Sequence, residues 1–247
     1  LFLELDADRL VQSAALLERR IGERFPGSGL QQVAGALRQL ATRTAERTRS
    51  IRRRNWWLAG LAWFLIGSGA AVLATLAVEL RFQGFAGVSE FVSFLDAALS
   101  SAVFLGGTAV FLLSLEARGK RRRALDALHE LRALAHIVDM HQLTKDPERM
   151  LGGLPLTESS PRRTMKPYEL HRYLDYCTEM LAQIAKIGAL YVQGFPDRVA
   201  LEAVDQVENL ATGLSRKIWQ KIVILDRYAD RREMPLPGPR TEGGPSA

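Results

Sequence analysis

Apolar positions recur three or four residues apart along most of the chain, the spacing that gives an α-helix one buried face. Leu10, Ala14, Leu17 and Ile21 make a first stripe, and Leu30, Val33, Leu37 and Leu40 make a second. FPGSG at 25–29 separates them, since one proline and two glycines break helical pairing. The pattern returns with Leu128, Leu131, Ala135 and Val138. It then predicts two long helices. The first covers about 167–193, with Leu170, Leu174, Cys177, Leu181, Ile184 and Tyr191. The second covers about 197–230, with Val204, Val207, Ala211, Leu214, Ile218 and Leu225. The second set alternates steps of three and four, the seam spacing of a coiled coil. GFPD at 194–197 is a short connection, so these two helices should pair antiparallel. No stretch alternates apolar and polar residues as a strand does.

Between the two regions the periodicity disappears. Residues 56–78, WWLAGLAWFLIGSGAAVLATLAV, carry no charge, and in 91–115 the only charge is Asp96. A helix crosses a hydrocarbon core of roughly 30 Å with about 20 apolar residues. The twelve residues between the blocks, ELRFQGFAGVSE, include Gly84 and Gly87, which can turn the chain. The expected fold is therefore all-α, a two-helix transmembrane hairpin (about 56–80 and 91–115) with a cytoplasmic helical-bundle or coiled-coil domain. The competing explanation is a pair of core helices buried in a soluble protein. The remaining segments read as N-terminal helices at 1–54, a helix at 118–142 after the hairpin region 55–117, a linker at 143–165, the helical hairpin at 166–232 and a disordered Pro/Gly-rich tail at 233–247.

Charge sets the expected orientation. Arg43, Arg47, Arg49, Arg52, Arg53 and Arg54 precede the first block, and Arg118, Lys120, Arg121, Arg122 and Arg123 follow the second. The intervening loop has Arg81, offset by Glu79 and Glu90. Short loops rich in Lys and Arg stay on the cytoplasmic side. Both termini should then be cytoplasmic, in a multi-pass protein of the inner (cytoplasmic) membrane. Arg52, Arg53, Arg54, Arg121, Arg122 and Arg123 would sit at anionic headgroups, with Trp56 and Trp57 in the interfacial belt. The net charge of +6 thus points to the lipid bilayer as partner, and no nucleic acid is expected. The single cysteine, Cys177, permits no intramolecular disulfide and no cysteine-based zinc site, which fits a reducing compartment. The first fifty residues carry too many charges to be a signal peptide.

Small residues recur four apart inside the apolar blocks: Gly67, Ala71 and Thr75 in the first, Ala98, Ala102 and Gly106 in the second. Such positions let helix backbones approach closely in lipid. They could join the hairpin to itself or join neighbouring copies, so self-association is expected. Asp96 lies about a turn and a half inside the outer end of its block. It reads either as a carboxylate reaching the interface, paired with Arg81, or as a polar contact or pore-lining group.

Catalytic patterns are sparse. HELR at 129–132 resembles the start of the phospho-acceptor motif of sensor histidine kinases, but Ala133 and Leu134 stand where that motif has its proline, and no ATP-binding segment follows. His129 and His136 are about 10 Å apart along a helix, too far to share one ion. His136 and Asp139 are spaced to share one, but two ligands make no site, and HExxH is absent. No phosphate-binding glycine loop, GxSxG or carboxylate pair occurs, so neither an enzyme, a metal nor a cofactor is expected. Tyr168, Tyr173, Tyr176 and Trp219 fall at helical spacing and read as bundle core rather than a base-stacking platform. SSPRR at 159–163 has the composition of a modification site, as many Ser-rich loops do.

The order of segments is similar to that of the bacterial SLATT-type two-span membrane proteins. The resemblance lies in organisation over most of the chain. It implies an effector that oligomerises and perturbs the membrane when a partner signals. Read from the residues, the leading expectation is a membrane-anchored helical scaffold or regulator that meets a cytoplasmic protein partner through its coiled coil. The alternatives are an oligomeric pore-forming or membrane-perturbing effector and a transmembrane signalling component.

Overall fold

A computed structural model describes residues 4–52, 56–83, 88–145, 147, 158 and 165–233. The described residues are all-α, with no strand among them, and form six long helices. These are α1 (Ala7–Arg24), α2 (Gly29–Arg52), α3 (Trp56–Gln83), α4 (Val88–Leu143), α5 (Pro167–Gln193) and α6 (Arg198–Glu233).

Local chemistry sets the helix starts. Asp6 caps α1 by accepting from the amides of Asp8 (2.9 Å) and Arg9 (3.3 Å). The Ser28 hydroxyl accepts from the amide of Gln31 at α2. Pro167 stands at the first position of α5, where its missing N–H costs nothing, and Glu169 accepts from the amide of Lys166 (2.8 Å). Asp197 caps α6 through the amides of Val199 and Ala200. Each cap satisfies amides that a helix start leaves without a partner. Between α1 and α2 the chain reverses through Gly27, whose φ of 68° falls in the left-handed region that glycine enters at little cost.

The chain divides into two compact units. One comprises residues up to Arg47 together with those from Ala127 onward, and the other spans Thr48–Asp126.

The first unit is a bundle of α1, most of α2, the end of α4, α5 and α6. At its centre lies α5, which buries thirteen side chains or glycines, among them Leu174, Met180, Ile184 and Tyr191. Against α1 it places Gln183 on Ser13 (3.1 Å) and Glu179 on Arg20 (3.0 Å). Against α2, the Tyr191 hydroxyl donates to Thr44 (3.0 Å). Against α4, the Tyr173 hydroxyl donates to the His141 carbonyl (3.4 Å), and Gly188 faces Leu128 and Leu131. Against α6, His171 meets Asp226 at 3.4 Å. Glu18–Arg38 and Arg47–Glu130 (3.2 Å) join α1 to α2 and α2 to α4. Lys221 of α6 closes the end of α4 by donating to the carbonyls of Gln142 (3.0 Å) and Lys145 (3.4 Å). A cation at a helix C-terminus complements the carbonyls left open there.

The expected apolar stripes lie inside this bundle. Ala14, Leu17 and Ile21, then Leu30, Val33 and Leu37, and then Leu128, Leu131, Ala135 and Val138 are all buried. Leu10 and Leu40 are only half-buried, and the α2 stripe continues through Ala41 and Ala45. Of the expected linker at 143–165, Leu143 still belongs to α4, and most of the segment lies outside the described residues. The tail from 234 onward, nearly all of the segment read as disordered, lies outside them as well.

The second unit contains α3 and the first half of α4, lying side by side. The two-span layout is not established by these helices. Among the described residues, one helix is long and apolar enough to cross a membrane, α4 from Phe91, and none of its most apolar window is buried. The apolar stretch described for α3 is Trp63–Thr75, shorter than a crossing. Its charge-free run continues on both sides through positions whose side chains lie partly outside the described residues.

Candidate membrane-facing site

The largest chemical feature of the described residues is an uncovered apolar surface. Trp56 is 78% exposed and Trp57 88%. Trp63, Phe64, Val72, Val78, Leu95, Leu99, Val103, Phe104 and Val110 are exposed as well. Soluble monomers rarely display apolar patches beyond a few hundred Å². The alternative of buried core helices requires these side chains to be covered by the chain, and among the described residues they are exposed.

The residues expected to anchor the protein flank the apolar stretches along the chain. Trp56 and Trp57 are the first two residues of α3. Arg52 is the last residue of α2, and Arg53 and Arg54 lie outside the described residues. Arg121 is half-buried, while Arg122 and Arg123 are exposed. Lys120 pairs with Glu116 one turn earlier at 2.9 Å. Arg47, grouped by sequence with the flanking charges, is instead held in the bundle by Glu130.

The small residues divide differently from the two expected stripes. The α3 side turned to α4 carries Gly69, Val72 and Leu73, and the α4 side carries Phe94, Ala97, Ala98, Phe104 and Leu105. Gly69 sits against Leu105 so closely that an added Cβ would overlap it. Only Ala98 of the proposed packing residues belongs to this contact. Gly67, Ala71, Ala102 and Gly106 are exposed, and nothing lies within 4 Å of the place a Cβ would take at Gly67 or Gly106. They therefore do not join α3 to α4. A groove of about 310 Å³ separates the two helices, lined by apolar side chains with Ser68 and Ser101 as its polar members. It offers no charged or nucleophilic constellation.

Asp96 is exposed and makes no hydrogen bond or ion pair among the described residues. The side chain of its suggested partner, Arg81, lies outside them.

The coiled-coil seam has a different fate. Val204, Val207, Ala211, Leu214, Ile218 and Leu225 are all 5% exposed or less. The helical hairpin with α5 and its bundle consume the whole seam, so it presents no stripe to a partner. The expected route to a partner through this coiled coil therefore finds its six seam residues already buried within the bundle. Tyr173 and Tyr176 are core residues, as expected, with Phe25 edge-on to both at 5.5 and 6.3 Å. Tyr168 and Trp219 are exposed instead.

Among the described residues no three His, Cys, Asp or Glu side chains gather as metal ligands. His129 and His136 are exposed. His171, which carried no message in the sequence, bridges Asp175 (3.5 Å) and Asp226 (3.4 Å). A polar recess on the α1–α5 face holds Arg20, Glu23, Arg24, Arg172 and Tyr176. Its arginines are committed locally: Arg20 to Glu179, Arg172 to Asp175, and Arg24 to the Tyr168 hydroxyl (3.4 Å).

Burial pushes the Cys177 thiol up to about 12 and raises the Tyr173 and Tyr191 phenols above their ordinary range. In an unfolded chain these groups lose protons between about pH 8.5 and 10. Above that window the unfolded chain binds fewer protons than the folded one, so stability falls as pH rises and is complete below about pH 8. The melting temperature of the bundle should drop steadily above about pH 9. A flat profile to about pH 11 would show that the three groups are open to solvent.

The chain matches no known protein family, no curated protein and no solved structure.

Proposed function

We propose that this chain is an integral membrane protein in which two apolar helices, about 56–80 and 91–115, anchor the helical bundle at the cytoplasmic face as a scaffold or regulator for a protein partner. The observation that carries the reading is the apolar surface of α3 and α4, which the described residues leave uncovered. Lipid is the solvent in which such a surface costs nothing. With the 204–225 seam consumed, a partner would have to dock elsewhere. Ile137, Met140 and Leu143 of α4 are apolar and exposed on the bundle and are the leading surface for it.

Topology tests the anchor. Val88→Cys should react with an impermeant maleimide from outside intact cells, and Arg122→Cys only after the membrane is opened. The protein should remain in membranes through alkaline carbonate. Release by carbonate, or equal labelling of both positions from outside, would end the reading.

A second reading, an oligomeric membrane-perturbing effector, draws on the SLATT-like layout and on Asp96, an exposed carboxylate within the apolar part of α4. The particle mass in nanodiscs separates the two. One or two copies support the anchored regulator, because so few spans cannot enclose water. Four or more copies support the effector.

A further inference from the structure

A recess lined by charge opens on the bundle where the end of α1 meets the first turns of α5. It has a volume of about 410 Å³ and is lined by Arg20, Glu23, Arg24, Arg172 and Tyr176. Small-molecule sites begin at roughly 300 Å³, so the space suits a compact ligand. It belongs to the bundle unit alone, and its ligand would bind whether or not the apolar helices span a membrane.

Three guanidinium groups reach the recess from two helices, and their surroundings hold them in place. Arg20 and Arg172 stack on the ring of Tyr176, 5.4 and 5.8 Å from its centre. Tyr176 is buried and Phe25 stands edge-on to it, so this wall is fixed. Glu179 takes two N–H groups of Arg20, at 3.0 and 3.3 Å, and Asp175 takes one of Arg172, at 3.1 Å. Those carboxylates orient the two forks without exhausting them, because a guanidinium has more N–H donors than one carboxylate accepts. Arg172 Nε is buried with no acceptor among the described residues, an unfavourable state that a slight turn towards an oxyanion would relieve. Arg24 has no carboxylate partner among the described residues. Its guanidinium lies over the Tyr168 ring at 5.6 Å and donates to the neutral phenol over a long 3.4 Å. Glu23 makes no hydrogen bond or ion pair among the described residues, and adjacent helix positions do not face each other, so it does not neutralise Arg24.

We propose that this recess binds the phosphate group of a small soluble molecule, with Arg24 as its main charge partner and Arg20 and Arg172 completing the cradle. A phosphate offers three acceptor oxygens pointing in different directions, which suits forks arriving from separate helices, whereas a flat carboxylate suits a single fork. The buried Tyr176 ring offers no free face on which a nucleobase would stack. Glu23 opposes a chain of several phosphates and can accept instead from a hydroxyl or amino group of the same molecule. The ligand class is therefore a phosphorylated sugar or amino alcohol rather than a nucleotide. Bound there, it would bridge α1 and α5 and give the bundle a soluble input.

Thermal unfolding of the full chain in neutral detergent tests this, with inorganic phosphate as the probe. Phosphate at about 10 mM should raise Tm by roughly 3 °C over sodium chloride of equal ionic strength. Arg24→Gln should weaken phosphate binding, read by calorimetric titration, by roughly tenfold. Arg24 is exposed, so the variant keeps its fold. Glu23→Gln should strengthen binding several-fold by removing repulsion, and Arg216→Gln, at an exposed position of α6, should change nothing. A purely structural role for these residues would not produce opposite signs at adjacent positions. No stabilisation beyond chloride, or equal affinity in Arg24→Gln and the parent, would overturn the inference. So would stabilisation confined to nanodiscs containing phosphatidate, which would assign the recess to a lipid headgroup.

Discussion

Ile184→Asp is expected to abolish the folded bundle. Ile184 has no solvent exposure and sits on α5, the helix that touches α1, α2, α4 and α6. Truncating a buried isoleucine alone typically costs about 2–5 kcal/mol. The aspartate adds a polar group with no partner, at roughly 1–3 kcal/mol if it stays protonated and more if it ionises. The sum rivals the whole stability of a typical domain, about 5–15 kcal/mol. Helical signal from the bundle should collapse at temperatures where the parent is folded, and limited proteolysis should cut within α5 and α6. Leu201→Asp is the matched control on α6. Leu201 is 46% exposed, and its substitution should move stability by no more than about 0.5 kcal/mol. A cooperative melt for Ile184→Asp close to that of Leu201→Asp would mean that α5 is not the core.

The same burial changes the meaning of other substitutions. Aspartate at Leu214 or Ile218 would be the natural way to sever a coiled-coil partner. Both residues are buried inside the chain, so such variants would report misfolding and say nothing about partners. Partner tests belong at exposed positions such as Ile137 and Met140.

Helical periodicity carried most of the bundle. Leu17, Leu37, Leu131, Ile184 and Ile218 were each legible as core because one buried face repeats every three to four residues. The central role of α5 was less legible. Tyr173 and Tyr176 were legible as core from their spacing, whereas Gln183 widens the buried face with an amide that makes sense there only once Ser13 is placed beside it. The seam of α6 was visible as a seam, but spacing cannot say whether its partner is another chain or α5. Helix pairing in the apolar unit was ambiguous for a related reason. In an Ala- and Gly-rich helix several registers put small residues four apart, and the Gly69–Leu105 contact selects one that the pattern alone could not.

Leu99→Arg should sharply reduce the membrane-embedded fraction of the protein, and its direction separates lipid from water. Leu99 is 64% exposed. It lies on α4 away from the α3 contact, roughly 12 Å along the axis from Phe91. If that surface met water, exchanging an exposed leucine for arginine would remove apolar area at almost no cost to stability and would improve solubility. In a bilayer the same change replaces a residue that favours insertion by about 0.5 kcal/mol with one that opposes it by about 2.5–3.5 kcal/mol. The difference of roughly 3 kcal/mol corresponds to about a hundredfold in the insertion equilibrium of that helix. Arginine can bend its charge towards an interface, which lowers the penalty without reversing its sign. Val88→Arg supplies the control. Val88 is the first residue of α4 and 81% exposed, where an arginine already sits at the headgroups. Carbonate-resistant protein should fall for Leu99→Arg and hold for Val88→Arg. Equal resistance in both, with Leu99→Arg no less stable than the parent, would place this face in water and remove the foundation of the membrane reading.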